Sequence, residues 1–400
     1  MTVNAQTSVN SPYTRYGLGD LTNSAFANNV AMGGVGYALR NGNHINIMNP
    51  ASYTAADSLS FKFDVGMGWN ISNFQEGGNK NKAKNSSFDY IAMQFRLHPR
   101  IGFTLGFVPY STVGYNFSQT YSLESENGTT ATNTFTGDGG LQQIFVGLGF
   151  RLFKNLSVGA NIGYFYGTID YQSSISFSTT SDQTLTYNHI RVKSYKADFG
   201  LQYTQDINKD NNITLGFSYG LGHDLNSSCT KGIQVTNSQA NETSINDPYG
   251  LPHSFGGGIA YNHKKQWTVE VDYAKQQWSK VKYENEPNRY NDLSRIAAGA
   301  EFTPNPEGRS YLQRVHYRAG GYYNSSYLKV TDNIDGPSEY GVSIGLGFPL
   351  YLFQRNTILN VTGQYVHVKP SVPDMLSENR FVIKLGLTFN ERWFMKWRIN

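Results

Sequence analysis

Apolar and polar residues alternate strictly along much of this chain. From Leu59 onward the odd positions are Leu, Phe, Phe, Val, Met and Trp, and the even positions are Ser, Lys, Asp, Gly, Gly and Asn. Because successive side chains of a β-strand point to opposite faces, this pattern predicts a strand with one apolar and one polar face. The same alternation recurs as far as residue 390.

Marking every such stretch predicts fourteen strands, an even number. They lie near residues 59–72, 87–97, 101–118, 141–153, 156–172, 188–205, 212–222, 253–262, 266–281, 292–303, 312–328, 339–352, 357–368 and 379–390. Every second connection is short, as at 98–100 and 154–155. The other connections are longer and rich in Asn, Ser, Thr and Gly.

The fold class that this pattern indicates is all-β: a transmembrane, up-and-down antiparallel β-barrel of 14 strands in the bacterial outer membrane. Short turns at one end and long loops at the other are typical of such barrels, with the turns periplasmic and the loops extracellular. A soluble β-sandwich also has alternating strands. Aromatic residues near strand ends, such as Trp69, Tyr110, Trp278 and Tyr340, favour the barrel.

Composition agrees with a barrel and excludes other classes. The chain holds 41 Gly, 28 Tyr and 24 Phe, and its mean hydropathy is -0.46. No stretch approaches the roughly 18 consecutive apolar residues of a membrane-spanning helix. The net charge of +4 comes without a run of Lys or Arg, so nucleic-acid binding has little support. The single cysteine, Cys229, cannot form an intrachain disulfide and is interpreted as an unpaired polar loop residue.

Catalytic and metal-binding motifs do not emerge from the sequence. It contains no Gly-x-Ser-x-Gly and no His-Glu-x-x-His, and its 8 histidines are scattered. His223, Asp224 and His253 are candidate acids or bases, but no nucleophile accompanies them, which favours a polar loop role. We therefore expect a protein that is not an enzyme and that holds neither a metal nor a cofactor.

The chain divides into four parts. Residues 1–5 end in Val-Asn-Ala, the small-x-small pattern of a secretory cleavage site, and are the residual end of a signal peptide or a flexible terminus. Residues 6–57 are small and irregular, and residues 58–390 hold the strands. Residues 391–400 form an aromatic and basic tail with Trp393, Phe394 and Trp397. The tail is interpreted as a membrane-interface anchor in preference to a partner epitope.

Charged residues cluster on the face opposite the apolar one, which would line the lumen. They lie on three neighbouring predicted strands: Glu270, Asp272, Arg295, Glu301, Arg314, His316 and Arg318. Acids and bases on adjacent strands would form ion pairs. A scaffold that keeps its charges paired is the favoured interpretation, and a selectivity surface for a polar solute is the alternative. Inner-face glycines such as Gly345 indicate either barrel curvature or the close approach of another backbone.

The third predicted strand carries a proline. Its sequence, IGFTLGFVPYSTVGYNF, alternates cleanly through Phe107 and then meets Pro109. Proline has no N–H to donate to the neighbouring strand. Either the strand bends here and opens a gap beside a neighbour, or the proline lies near the membrane surface, where the missing bond matters little.

The segment before the first strand contains AMGGVGYALRNGNHINIMNPASY. Its notable residues are Gly33, Gly34 and Gly36, followed by Asn49, Pro50 and Ala51. A glycine-rich stretch, then Asn-Pro-Ala, then the first of fourteen strands, together with Pro109, resembles the FadL family of outer-membrane channels for hydrophobic compounds. It is similar also to the branch of that family in Bacteroidota, whose members include partners of secretion and assembly machinery.

The resemblance implies an architecture and a function. A hatch from about Ser11 to Ala56 would fold back into the barrel, with the six residues above in this plug, and Pro109 would mark a lateral opening toward the membrane. The function that the resemblance implies is passive uptake of small hydrophobic compounds. The alternative is a non-transporting barrel subunit of a larger complex for protein secretion or outer-membrane protein assembly, which acts through its loops and tail. The implied partners are outer-membrane lipid, a small hydrophobic ligand or other envelope proteins.

Overall fold

A computed structural model describes residues 10–57, 60–123, 129–286, 288–331, 333–350, 357–373 and 375–392. Fourteen antiparallel strands form the wall. They are β1 (Ser60–Glu76), β2 (Asn79–His98), β3 (Ile101–Ser122), β4 (Thr130–Arg151), β5 (Leu156–Phe177), β6 (Gln183–Asp206), β7 (Asn211–Gly220), β8 (Ser254–His263), β9 (Trp267–Gln276), β10 (Leu293–Phe302), β11 (His316–Asn324), β12 (Ser338–Leu350), β13 (Thr357–Lys369) and β14 (Ser377–Arg392).

The sheet closes on itself. β1 pairs with β2 on one side and with β14 on the other, where Phe63 lies opposite Phe389. Closure removes the free edges that an open sheet would expose to lipid. The predicted all-β barrel of 14 strands is therefore confirmed. Within the described ranges no helix has the length and apolar character needed to cross a membrane.

The two faces of the wall have opposite character. Ile162 and Ile344 point outward with 64% and 70% of their surface exposed, whereas Lys62, Asp64 and Glu270 point inward and are fully buried. A soluble protein would bury the isoleucines and expose the charges. The inversion fits a barrel whose outer face contacts lipid.

Several strands are longer than the sequence predicts at the long-loop end. β3 and β4 continue as paired arms to Ser122 and Thr130, through a region predicted as loop. Hydroxyl groups of Thr120 and Thr132 hydrogen-bond across these arms. Both faces of an arm beyond the bilayer are wet, so the apolar alternation that marks a strand disappears although the ladder continues.

Short elements complete the fold. The additional strands are Asp20–Leu21, His223–Asp224, Ser227–Val235, Asn241–Asn246, Gly250–Leu251, Lys329–Thr331 and Ile334–Asp335. The 3₁₀ helices are Pro12–Arg15, Pro50–Ala55 and Trp278–Lys280, and the α-helices are Ala27–Val30 and Tyr311–Arg314. The hairpin strand Ser227–Val235 pairs with the outer half of β6, whose other half pairs with β7.

Three local predictions are wrong. The eleventh strand begins at His316 and not at residue 312, because Tyr311–Arg314 forms a helical turn. A stretch this short has too few apolar residues for their spacing to separate a helical turn from a strand. Arg314 therefore lies outside the wall strand to which it was assigned. The ninth strand ends at Gln276 and not at residue 281, and Trp278 just after it is fully buried with Tyr290 and Tyr327, because the long loops fold inward over that end of the barrel. Cys229 is also buried in this cluster, with no disulfide partner, and is not a polar loop residue.

Candidate functional site

Residues 10–57, called the N-terminal segment below, run inside the ring of strands. The side chain of Thr362 in β13 donates a hydrogen bond to the carbonyl of Ala27 over 2.9 Å. Elsewhere on the wall, the Tyr53 hydroxyl donates to Oδ1 of Asn161 in β5, also over 2.9 Å. The segment thus spans the lumen and contacts the inner face of well-separated strands.

Both the oxygen and the nitrogen of the Asn49 side-chain amide hold the Asn-Pro-Ala tripeptide in place. Oδ1 of Asn49 accepts a hydrogen bond from the backbone N–H of Ala51 at 3.1 Å and so caps a helical turn. Nδ2 donates to the carbonyls of Tyr37 at 2.7 Å, Leu201 at 3.1 Å and Phe217 at 3.2 Å. Leu201 and Phe217 belong to β6 and β7, so Asn49 joins two turns of the segment to two wall strands.

Pro50 and Ala51 are small enough for this close approach. Pro50 occupies the first position of the 3₁₀ helix, where its missing N–H costs nothing. A Cβ at Gly159 of β5 would lie 2.4 Å from the carbonyl carbon of Pro50. The backbones of wall and segment are therefore in direct contact at this point.

Glycines line the wall at many of its contacts with the segment. A Cβ would collide with atoms of the segment at Gly102, Gly159, Gly200, Gly216, Gly299, Gly320, Gly345 and Gly386. At Gly216 the clash is severe, since the Cβ would lie 1.9 Å from the carbonyl oxygen of Tyr37. Of the two explanations that the sequence leaves open for inner-face glycines, the structure supports close backbone approach at six of these positions, whereas Gly345 and Gly386 face the methyl groups of Ala31 and Ala27.

Two buried carboxylates of β9 bind the backbone of the segment. Oδ2 of Asp272 accepts hydrogen bonds from the N–H groups of Gly36 at 2.7 Å and Tyr37 at 3.2 Å. Oε1 of Glu270 accepts from the N–H of Ala38 at 2.6 Å. The sequence predicts wall-to-wall ion pairs for these acids, but their hydrogen bonds go to the segment.

The glycine pair of the segment contacts Arg295, a cationic residue of wall strand β10. Gly33 and Gly34 have φ values of 74° and 79°, a left-handed backbone that favours glycine. Nη2 of Arg295 donates to the carbonyl of Gly33 over 2.8 Å, and Nη1 donates to Asn324 over 2.9 Å. The guanidinium lies 4.0 Å from the ring centre of Tyr322, a cation–π contact. Arg295 thus links the glycine turn to the wall.

One predicted ion pair forms between adjacent wall strands. Arg318 lies opposite Glu301 in the β10–β11 register and donates to its carboxylate at 2.5 Å, and His316 lies 3.4 Å from the same carboxylate. Nη2 of Arg318 also reaches Nε2 of His44 in the segment at 3.2 Å. Burial, together with the positive charge of Arg318, lowers the pKa of His44 well below its ordinary value. A neutral His44 accepts this bond.

Sequence reasoning missed several contacts between segment and wall. They involve Asp20 with Arg380, Arg40 with Gln202, Phe26 with Tyr90, Tyr53 with Asn161 and Thr54 with Ser157. The inner-face glycines were the available sign that a second backbone lies there. The partner of each side chain depends on the path of the segment, which has no periodicity to read. Residues 1–5 and the tail aromatics Trp393, Phe394 and Trp397 lie outside the described residues.

The wall is interrupted between β2 and β3. Their paired register ends at Ile91 and Phe107, two residues before Pro109. Beyond it, β3 pairs with β4 through a bulge between Pro109 and Ser111. On its other edge the two-residue strand Asp20–Leu21 of the segment pairs with Ser111 and Thr112, in place of β2. Of the two interpretations of Pro109, this interruption supports the gap.

Neighbouring strands bend at the same level. Gly139 and Gly140 of β4 have φ values of 109° and 151°, and a Cβ at Gly140 would lie 2.3 Å from the carbonyl oxygen of Ser111. An open recess of about 660 Å³ forms beside the gap, called the kink recess below. Its lining includes Phe88, Phe107, Pro109, Gln142, Tyr164, Arg191 and Lys193.

The interior beside the kink recess is apolar. Val113, Leu141, Phe165, Ile169 and Val192 are buried there in one cluster, which includes loop residues from the long-loop end. The charged lining that the sequence predicts on three later strands therefore does not extend to this side of the barrel. The sequence does not reveal this apolar lining, because β3 to β6 carry apolar residues on their inner face as well above the kink. The alternation of apolar and polar residues therefore no longer identifies which face of a strand lines the lumen.

The described part of the chain contains no group of three or more His, Cys, Asp or Glu side chains placed to hold a metal ion. The carboxylates of the lumen bind backbone N–H groups and guanidinium groups instead.

Comparison with known proteins gives one family and one fold. A family model described as BamG matches residues 1–400. Among solved structures, the toluene transporter TodX of P. putida matches with a TM-score of 0.64 at 15% identity, over 94% of this chain and 100% of that chain. A Pseudomonas aeruginosa FadL homologue matches with a TM-score of 0.62 at 12% identity, over 96% of this chain and 99% of that chain.

The toluene transporter TbuX of Ralstonia pickettii matches with a TM-score of 0.61 at 14% identity, over 93% of this chain and 100% of that chain. At these identities the likeness shows a shared fold, that of the FadL-type barrels. A search of curated proteins finds no match.

Proposed function

This chain belongs to the BamG family, and from that premise we propose that it is an outer-membrane barrel that passes small hydrophobic compounds by diffusion. The N-terminal segment acts as the plug, the long loops are extracellular and the short turns periplasmic. Assignment to the Bacteroidota branch of the FadL family stays a prediction from the sequence.

The wall gap beside Pro109 carries this proposal. It lies next to an apolar interior lined by Val113, Phe165 and Val192, and it opens into the kink recess on the outer face. A hydrophobic solute that follows this side of the barrel avoids the buried charges of Glu301 and Arg318. The solute then leaves sideways into the membrane, where its transfer from water is favourable. The fold shared with the toluene transporters TodX and TbuX supports the same route.

The first prediction concerns this route. Gln142→Trp should place an indole across the kink recess, because Gln142 lines it on β4. We expect the initial rate of radiolabelled toluene uptake by cells that produce the protein, minus that of cells without it, to fall at least about fivefold. Val146→Trp is the matched control, since Val146 lies on the same face of the same strand but outside the recess and is already exposed.

Equal uptake by both variants would contradict the lateral route, and no uptake above background by the unaltered protein would contradict transport altogether. Heat-modifiable migration in gels reports that each variant is folded.

A second candidate function is a non-transporting subunit of a larger envelope complex. The hydrogen bonds that Asn49 and the Gly36–Ala38 backbone donate to the wall favour it, because they fix the segment in the lumen. The loop cluster around Trp278, which covers the long-loop end, favours it as well. Extraction in mild detergent followed by sizing separates the candidates. A lone barrel that takes up toluene supports the channel, whereas stoichiometric envelope partners without uptake support the subunit.

A further inference from the structure

The outer rim of the kink recess is basic, although it lies on the lipid-facing side of the wall. Arg191 and Lys193 of β6 line it, and both side chains are exposed. Within the described ranges neither side chain has an ion pair or a hydrogen bond. Cations without partners at the edge of an apolar surface call for an anionic ligand that also has an apolar part.

The strand register sets the depth of these cations. Tyr164 of β5 and Tyr195 of β6 lie opposite each other and point outward, each about half exposed. Such tyrosines occupy the interface between hydrocarbon and headgroups in outer-membrane barrels. Lys193 and Arg191 follow at two and four residues beyond Tyr195, on the same face. At roughly 3.3 Å per residue they lie about 7 and 13 Å further out, at the level of the headgroups.

The opposite rim carries a second basic stripe. Lys80, Lys82 and Lys84 of β2 are exposed and alternate outward beyond Phe88. Two acids also lie near the recess, Asp138 and Asp170, and the carboxylate of Asp170 is engaged by His189. Positive charge therefore predominates on both sides of the recess.

The floor of the recess is apolar. Phe88, Phe107, Pro109 and Tyr164 line it at and below the tyrosine level. Phe88 and Phe107 form a tilted ring pair with centroids 6.1 Å apart across the end of the β2–β3 pairing. A hydrocarbon chain laid on this floor would cover the place where the two strands stop exchanging hydrogen bonds.

We propose that the kink recess binds a phosphorylated glycolipid of the outer leaflet, with an acyl chain on the aromatic floor and a phosphate between Arg191 and Lys193. A guanidinium binds phosphate oxygens through paired N–H donors, and an ammonium adds a point charge. The lysine stripe of β2 attracts the remaining negative charge of the headgroup. The assignment to the outer leaflet rests on the proposed membrane orientation, but it does not require that a solute passes.

Lipid binding at this position would have a structural consequence. At the gap between β2 and β3, the free edge of β3 pairs with Asp20–Leu21 of the N-terminal segment. A bound acyl chain would complete the wall on the outside and keep water from the exposed strand edges. The lipid is thus expected to stabilise the folded barrel as well as to occupy the recess.

The experiment compares three forms of the full chain, purified in mild detergent. They are the unaltered protein, Arg191→Gln with Lys193→Gln, and a control in which Lys154 and Lys209, both exposed in turns at the opposite end, become Gln. Bisphosphorylated lipid A, its dephosphorylated form and inorganic phosphate are the probes. Native mass spectrometry reports bound lipid, and heat-modifiable migration reports the unfolding midpoint.

We expect lipid A to remain bound to the unaltered protein and to the control and to raise their unfolding midpoints. Occupancy should fall at least about tenfold in the recess variant, which stays folded without lipid. Dephosphorylated lipid A should bind much more weakly, and inorganic phosphate alone should not protect. Equal occupancy in all three proteins, or equal binding of the dephosphorylated lipid, would overturn the proposal. Protection by inorganic phosphate alone would overturn it in favour of a free-anion site.

Discussion

Asn49 shows how a single side chain can decide the position of a whole segment. Its amide accepts one bond and donates toward three carbonyls, two of them in the wall. Aspartate would lose the donor, and leucine would lose both functions. A short side chain that both donates and accepts is required. The tripeptide could be recognised in the sequence, but the contacts of its amide depend on where β6 and β7 pass.

Replacement of Asn49 should destabilise the barrel. Asn49→Ala removes the donor to the carbonyls of Tyr37, Leu201 and Phe217, and it removes the cap of the following turn. We expect a loss of about 3 kcal/mol in the free energy of unfolding, because the cap contributes about 1 kcal/mol and each of the two hydrogen bonds to the wall about 0.5–1.5 kcal/mol, whereas Gln202 still donates to the Tyr37 carbonyl. Urea unfolding in detergent, followed by intrinsic fluorescence, measures it.

The control for this change is Asn41→Ala, in an exposed turn of the same segment where the side chain makes only a local bond to Asn43. It should shift the free energy of unfolding by less than about 0.5 kcal/mol. If Asn49→Ala proved equally mild, the amide would not be the anchor that the geometry indicates.

At the scale of elements, the wall and the segment pack closely because glycines of the wall strands leave room for the segment backbone. Each glycine in the interior of a strand costs conformational entropy on folding. The concentration of glycines on the inner face therefore requires a stabilising contact that offsets this cost. Gly216 and Gly200 provide that contact, because the segment backbone occupies the space of their Cβ atoms. The strand period predicted which face these glycines occupy. It carried no information about which backbone would lie against them.

The glycine contact gives a direct test. Gly216→Ala places a methyl group 1.9 Å from the carbonyl oxygen of Tyr37, so the segment or β7 must shift. Overpacking of this kind costs about 1–3 kcal/mol. We expect faster cleavage of the segment by added protease in intact outer-membrane fragments, together with a lower unfolding midpoint.

Gly363→Ala is the matched variant, since no atom lies within 4 Å of the Cβ position of Gly363 on β13. It should leave both measurements unchanged. The same protease sensitivity in the two variants would show that the effect comes from the loss of glycine in a strand and not from contact with the segment.

At the scale of the whole molecule, the alternation of residues predicted the number of strands, their order and their lipid-facing side. Those features follow from a rule that acts at every position in a bilayer, where one face must be apolar. The arms beyond the bilayer, the inward-folded loop with Trp278 and the apolar inner face near Val113 escaped prediction. In these regions both faces meet similar surroundings, so the period of two no longer identifies either face.

The contacts inside the lumen could be predicted from the sequence only in part. Glu301 and Arg318 lie on adjacent strands at matching positions, which a register argument can find. Glu270 and Asp272 instead bind the backbone of Gly36 and Ala38, more than 200 residues earlier in the chain. A pairing of this range depends on the folded path of a segment without periodicity. The wall and the segment consequently form one hydrogen-bonded unit, with the gap at its side.

Amide hydrogen exchange of the N-terminal segment, measured in the membrane-embedded protein, tests this central claim most directly. The N–H groups of Gly36, Tyr37 and Ala38 donate to buried carboxylates, so we expect them to exchange as slowly as those of the wall strands. Exchange at the rate of the exposed Gly77–Gly78 turn would contradict it, since the segment would then not be seated in the barrel.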